Sequence, residues 1–139
     1  IYAADRAHHI HEIVRPALQR GEVVLQDRYL DSSVAYQGAG RVLDPVEVRN
    51  LSLWATEELM PEVTILLDVP AGIGAKRQAS EERQYDRLEA EALDFHERVR
   101  ESYVGLAHAE PGRFEVIDGT AAIADIHQLI TQRVSALLD

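Results

Sequence analysis

The segment Asp27-Arg28-Tyr29-Leu30-Asp31-Ser32-Ser33-Val34-Ala35-Tyr36-Gln37-Gly38 concentrates side chains able to hold a small polar ligand. A carboxylate and a guanidinium open it, and Ser33, Tyr36 and Gln37 follow at steps that a helix brings to one face. The planar arginine fork suits a phosphate, while hydroxyl, amide and ring groups on one face could read the rest of the ligand. An isolated Asp-Arg-Tyr is equally compatible with a surface ion pair beside core tyrosines. A second polar stretch, residues 80–86, carries Glu81, Glu82, Arg83 and Asp86 and is followed by Arg87. It has no apolar period and reads as a surface loop. Arginines on a loop that closes over a site supply charge and exclude water; taken alone, the same residues are a solvated charge run.

These groups must be carried by elements that the apolar pattern defines. Residues 2–20 read as a helix, apolar at Ile10, Ile13, Val14, Ala17 and Leu18, kinked at Pro16 and stopped at Gly21. Val23, Val24 and Leu25 form a short β-rich run, expected as a buried parallel strand that ends in Gln26, Asp27 and Arg28. A helical piece through Tyr36 and a glycine-containing loop come next. Pro45 then opens a helix with Val46, Leu51, Trp54 and Leu59, which Pro61 closes. Residues 63–69 are the second strand, with Asp68 near its end. A short helix follows from Ala71. Leu88, Ala92, Phe95, Val99, Tyr103 and Leu106 mark a long amphipathic helix. Residues 114–117 are the third strand, ending in Asp118-Gly119-Thr120, and Ile123, Ile126, Ile130, Val134 and Leu137 mark the closing helix. Strands alternating with helices imply an α/β fold with a parallel sheet whose ligands sit beyond the strands' carboxyl ends, where Asp27, Arg28, Asp68 and Asp118 fall.

Composition fits one globular domain spanning residues 1–139, with 46 % apolar and 27 % charged residues. With 14 Lys plus Arg against 24 Asp plus Glu, the formal net charge of −10 disfavours nucleic acid and anionic membranes as partners. An anionic ligand therefore needs a local cluster, and every basic residue but Lys76 is arginine. The absence of cysteine excludes disulfides and thiolate metal sites and fits a cytoplasmic location. His8, His9 and His11 lack a third ligand at suitable spacing and read as a solvated helix face. Trp54 reads as core or dimer interface.

The chain resembles the thymidylate kinases of bacterial type. The resemblance rests on Asp27-Arg28-Tyr29 with its Asp-Ser-Ser-Val-Ala-Tyr-Gln-Gly continuation, on Tyr2-Ala3-Ala4-Asp5-Arg6-Ala7-His8-His9 upstream, and on Asp86-Arg87-Leu88-Glu89 downstream. It implies a nucleoside-monophosphate-kinase-like parallel sheet with flanking helices, a lid at about residues 78–87, and phosphoryl transfer from ATP to dTMP with Mg2+. By the same resemblance Tyr2 stacks on thymine and Arg6 bonds the base edge. Arg28 grips the dTMP phosphate, Ser33 and Gln37 approach the base, and Tyr36 packs against the deoxyribose where a 2′-hydroxyl would have to fit. Asp27 lies near the magnesium, with Asp86 and Glu89 as further acidic candidates; Arg83 and Arg87 stabilise the transferring phosphoryl group, while Arg77 and Asp118 approach adenine. A homodimer is implied as well. Asp27 has a second reading as a carboxylate merely paired with a neighbouring arginine.

No Gly-x-x-x-x-Gly-Lys-Ser/Thr phosphate loop is present, and Gly72-Ile73-Gly74-Ala75-Lys76 has the wrong spacing and Arg77 in the hydroxyl's place. The family's phosphate loop and first two strands are expected upstream of Ile1, with the first strand lying between the 23–27 and 63–68 strands. A non-catalytic nucleotide-binding or interaction module and a deoxynucleoside kinase are the competing functions.

Overall fold

The computed structural model describes residues 1–39, 43–73 and 87–138. Its contacts gather into two compact units, Ile1–Met60 and Pro61–Asp139.

The first unit is helical. Helix α1 (Tyr2–His9) passes through a π-helical turn at Ile10–Val14 into α2 (Arg15–Gln19). That turn is the form taken by the kink expected at Pro16. Proline has no N–H to offer the Glu12 carbonyl and its ring crowds that oxygen, so the ladder widens and the Arg15 N–H reaches back to Ile10. Gly21, at φ +77°, ends the helix: its N–H bonds the Leu18 carbonyl and the Glu22 N–H bonds that of Ala17. Ile10, Val14 and Ala17 are buried, whereas Ile13 and Leu18, assigned to the same apolar face from their spacing, are exposed.

Helix α3 (Leu30–Ser33) continues into a second π-helical segment, Val34–Ala39, and buries Leu30, Val34 and Ala35. Helix α4 (Pro45–Ala55) starts from Asp44, whose Oδ1 accepts the Val46 N–H at 2.8 Å. Its far end leads into two successive non-glycine residues in the left-handed region, Glu57 at φ +50° and Glu58 at φ +55°. Arg15 supports this turn: Nη2 donates to the Thr56 and Glu57 carbonyls at 3.1 and 3.3 Å and pairs with the Glu57 carboxylate at 3.0 Å. Terminal helix carbonyls that would otherwise lack partners are thereby satisfied.

The strand expected at residues 23–27 does not form. A strand exists only as part of a hydrogen-bonded ladder, and the segment joins none among the described residues. Val23 and Leu25 are 70 % and 98 % exposed. Apolar, β-branched composition signals the extended backbone but cannot supply a neighbour.

The second unit is a mixed α/β layer. Strands β1 (Thr64–Asp68) and β2 (Phe114–Asp118) pair in parallel, Thr64 opposite Phe114 and Asp68 opposite Asp118. Helix α5 (Arg87–Ala109) packs on both strands and α6 (Ile123–Leu138) on β2, around Val99, Ala107, Phe114 and Ile117. The Gly119 N–H extends the ladder to the Asp68 carbonyl at 2.9 Å. Only glycine fits this approach, because a Cβ at residue 119 would lie 2.4 Å from Val69 Cγ2.

Asp68, one of the strand-end acids, is engaged structurally. Arg100 reaches from α5 and donates through Nε and Nη2 to its two oxygens at 2.6 and 2.9 Å, and through Nη1 to Glu97 at 2.8 Å. The Arg100 guanidinium holds the Asp68 carboxyl below the usual carboxylate range, against opposing burial. A depressed folded value stabilises the fold above the unfolded pKa of about 3.9, and that contribution is lost as pH falls from there through the folded value. Asp68→Asn should accordingly melt at lower temperature than the parent near neutral pH, with the difference closing in acid. A melting difference that is constant from neutrality down to about pH 2.5, across that carboxylate window, would remove the ion pair from the stability of this unit.

Candidate functional site

The Asp-Arg-Tyr segment lies at the entrance to α3, and its arginine adopts an unusual backbone. Arg28 has φ +63°, in the left-handed region that a long side chain such as arginine seldom occupies. The Gln26 side-chain amide donates to the Arg28 carbonyl at 3.1 Å. The Arg28 guanidinium lies over the Tyr36 ring, 5.1 Å from its centroid, which is cation–π distance. Arg28 is exposed, as is Asp27. Among the described residues no ion pair joins Asp27 to an arginine or Arg28 to a carboxylate.

A second arginine converges on the same helix. Arg6, from α1, donates through Nη2 to Ser33 Oγ at 2.8 Å and, at 3.5 Å, to the Tyr29 carbonyl. Its Nη1 lies 3.5 Å from Ser52 Oγ, on α4, and its guanidinium stands 5.7 Å from the Tyr29 ring centroid. Burial pushes the Arg6 pKa down, opposed by Tyr29, Asp5 and Asp31. The Tyr29 hydroxyl donates to the Leu59 carbonyl at 2.9 Å, and burial raises this phenol above its ordinary value. Gln37 contributes a further feature: its Oε1 is buried and without a hydrogen-bond partner among the described residues. A buried acceptor left unmade is costly, and a ligand N–H would satisfy it.

The structure thus brings Arg6 to Ser33 and Arg28 to Tyr36, all on or against one short helical stretch that also carries Gln37. Tyr2, on α1, is 66 % exposed and its ring lies outside this cluster of contacts. In the second unit, Asp118 Oδ1 accepts from the Thr120 hydroxyl and N–H at 2.6 and 2.8 Å. Those bonds, the hydroxyl's first, hold the carboxyl below the usual range. Arg77, Arg83, Asp86 and the rest of the 78–86 stretch lie outside the described residues. So do the side chains of Arg87 and Glu89, whose backbones open α5.

Several participants carry no local signal. Ser52, 2 % exposed, meets Arg6 across a separation of 46 residues, and nothing in its neighbourhood along the chain marks it. Gln26 stands beside the Asp-Arg-Tyr segment but reads in the sequence only as a polar strand end. Among the described residues no three His, Cys, Asp or Glu side chains gather as a metal cage.

Comparison with known proteins agrees with the motif resemblance. The family model described as "Thymidylate kinase" matches residues 1–130. A thymidylate kinase of Clavibacter michiganensis subsp. michiganensis is 56 % identical over 138 residues, covering 99 % of this chain and 65 % of its own length. One of Leifsonia xyli subsp. xyli is 63 % identical over 126 residues, covering 91 % and 60 %. One of Cutibacterium acnes is 49 % identical over 139 residues, covering 100 % and 66 %. The chain spans about three-fifths of the length of the curated relatives it matches.

The Arg6 geometry has a stability consequence of its own. A lysine has one nitrogen and cannot bridge Ser33, the Tyr29 carbonyl and Ser52 together. Arg6→Lys should lower the unfolding free energy by about 1–2 kcal/mol, the scale of hydrogen bonds to a charged donor in a part-buried site. Denaturant titration checks this, and an unchanged midpoint would mean that the fork is dispensable to the packing of these helices.

Proposed function

This chain belongs to the thymidylate kinase family, and from that membership we propose that the full-length protein transfers the γ-phosphoryl group of ATP to dTMP, giving dTDP. The observation that carries the reading is the Arg28 guanidinium, held by a left-handed backbone and stacked on Tyr36 with no carboxylate partner among the described residues. It is an oriented, exposed cation, which is what a phosphate clamp requires. In this reading a phosphate oxygen of dTMP attacks the γ-phosphorus of ATP, and the bond from that phosphorus to the ADP oxygen breaks. The protein's task is positioning and charge.

Arg6 meets the base edge, its direction set by Ser33 and Tyr29, so Ser33 acts on the base largely through Arg6. The buried Gln37 oxygen offers an acceptor to a base N–H. Tyr36, besides carrying Arg28, borders the deoxyribose, and the exposed ring of Tyr2 stacks on thymine. Arg83 and Arg87 serve the transferring group from the lid, while Arg77 and Asp118 approach the adenine.

Asp27 suits magnesium, being an exposed carboxylate beside the phosphate clamp; one or two carboxylates completed by substrate phosphates are this ion's usual set. The family resemblance makes Asp86 and Glu89 further acidic candidates for the ion. Magnesium bound there would neutralise charge on the phosphates. We further assign a cytoplasmic homodimer. The exposed apolar residues Val46, Leu51 and Trp54 on α4 support association, and no described helix is long and apolar enough to cross a membrane.

The test compares Arg28→Ala with Arg98→Ala, an exposed arginine of α5, in the full-length protein. Loss of a charge-assisted clamp should reduce kcat/KM for dTMP by at least about 30-fold, corresponding to about 2 kcal/mol. Arg98→Ala should stay within about twofold of the parent, as surface substitutions do. Equal kinetics for the two variants would take Arg28 out of the site.

A further inference from the structure

We propose that Gln26 is a positioning residue for Arg28: its amide locks the arginine backbone in the left-handed conformation that lays the guanidinium on Tyr36. This rests on Arg28 being the phosphate clamp. Three observations support it. Arg28 sits at φ +63°, a conformation that a residue with a Cβ holds only when its surroundings impose it. The bond that fixes the peptide after it is Gln26 Nε2 to the Arg28 carbonyl, 3.1 Å, reaching forward two residues over the turn. The side chain of the same residue is fixed separately, by the Tyr36 ring at 5.1 Å. Backbone and guanidinium are thus held at two points by two different residues.

The two contacts are geometrically coupled. The direction in which the Arg28 Cβ leaves the chain is set by φ, so relaxation to the ordinary negative region would swing the whole side chain away from the ring. Without the Gln26 donor the Arg28 carbonyl would turn to water, and the strain at φ would favour that relaxation. The brace therefore pre-organises the cation before ligand arrives, and binding avoids the ordering cost that a freely rotating arginine would incur. The effect should be confined to the ligand's phosphate, because the groups assigned to the base are held independently through Arg6, Ser33 and Tyr29.

The experiment measures binding of dTMP and of thymidine, which lacks the phosphate, to the full-length protein and three variants. Gln26→Met keeps the length of the side chain and removes the donor. It should weaken dTMP by about three- to tenfold, the range for one hydrogen bond, and leave thymidine within about twofold. Gln26→Glu, whose carboxylate would face the Arg28 carbonyl without a proton to donate, should weaken dTMP at least as much. In an Arg28→Ala background the Gln26→Met change should have no further effect on dTMP, since the two act as one unit. Equal weakening of both ligands, a full effect persisting in the Arg28→Ala background, or no effect at all would each overturn the proposal. Arg28→Ala alone separates the two levels. If it leaves the ratio of dTMP to thymidine affinity unchanged, the phosphate-clamp reading fails; if it collapses that ratio while Gln26→Met does not, the brace alone fails.

Discussion

The Arg6 guanidinium lies partly buried among α1, α3 and α4, where each of its N–H groups must find an acceptor or lose the hydration it had in the unfolded chain. Ser33, the Tyr29 carbonyl and Ser52 accept three of these bonds, two from α3 and the residue preceding it and one from α4. Satisfying one planar group therefore fixes the helix that carries Ser33 and Tyr36 relative to the helix that carries Arg6. Apolar contacts alone would not give that precision, since Leu30, Val34 and Ala35 could slide by a fraction of a turn and remain buried. Tyr29 completes the arrangement from the other side, with its hydroxyl tied to the Leu59 carbonyl at the exit from α4.

Strain accumulates around this fixed point. Arg28 precedes Tyr29 in a left-handed conformation, and Glu57 and Glu58 adopt the same region shortly before Met60, with Glu57 bonded to Arg15. Such residues persist only where the surroundings over-determine them. At Glu57 the compensation is visible as a salt bridge and two carbonyl acceptors for Arg15. At Arg28 it is one amide and one aromatic ring, a lighter restraint on a residue that faces solvent. The first is a helix terminus held shut; the second leaves its cation presented outward.

Elements written by periodicity are legible in the amino-acid sequence. The long run from Leu88 to Leu106 forms α5, the apolar 63–69 run forms β1 within a residue at each end, and Asp44-Pro45 marks the start of α4. Pairing is not legible. Residues 23–27 have strand composition and no ladder among the described residues, because composition encodes a backbone preference and says nothing of a neighbour. The site divides in the same way. Short motifs name Arg6, Arg28, Ser33 and Tyr36, yet the pairing of Arg6 with Ser33 spans 27 residues and that of Arg28 with Tyr36 goes with a left-handed φ, neither of which local spacing records. The apolar pattern sets Asp68 at a strand end, but its ion pair to Arg100 spans 32 residues and leaves no trace in local spacing.

Charge distribution explains why an aromatic ring, rather than a carboxylate, is a suitable support for Arg28. The chain carries a formal net charge of −10, and several arginines elsewhere in the described structure are tied to acids: Arg15 to Glu57, Arg100 to Asp68 and Glu97, Arg113 to Glu110. A carboxylate on Arg28 would orient it equally well but would neutralise it, and an incoming phosphate would have to compete with that internal anion. The Tyr36 ring restrains the direction of the guanidinium while leaving its charge uncancelled. An oriented guanidinium without a carboxylate partner among the described residues is what the proposed phosphate clamp would need in a chain whose formal net charge is negative.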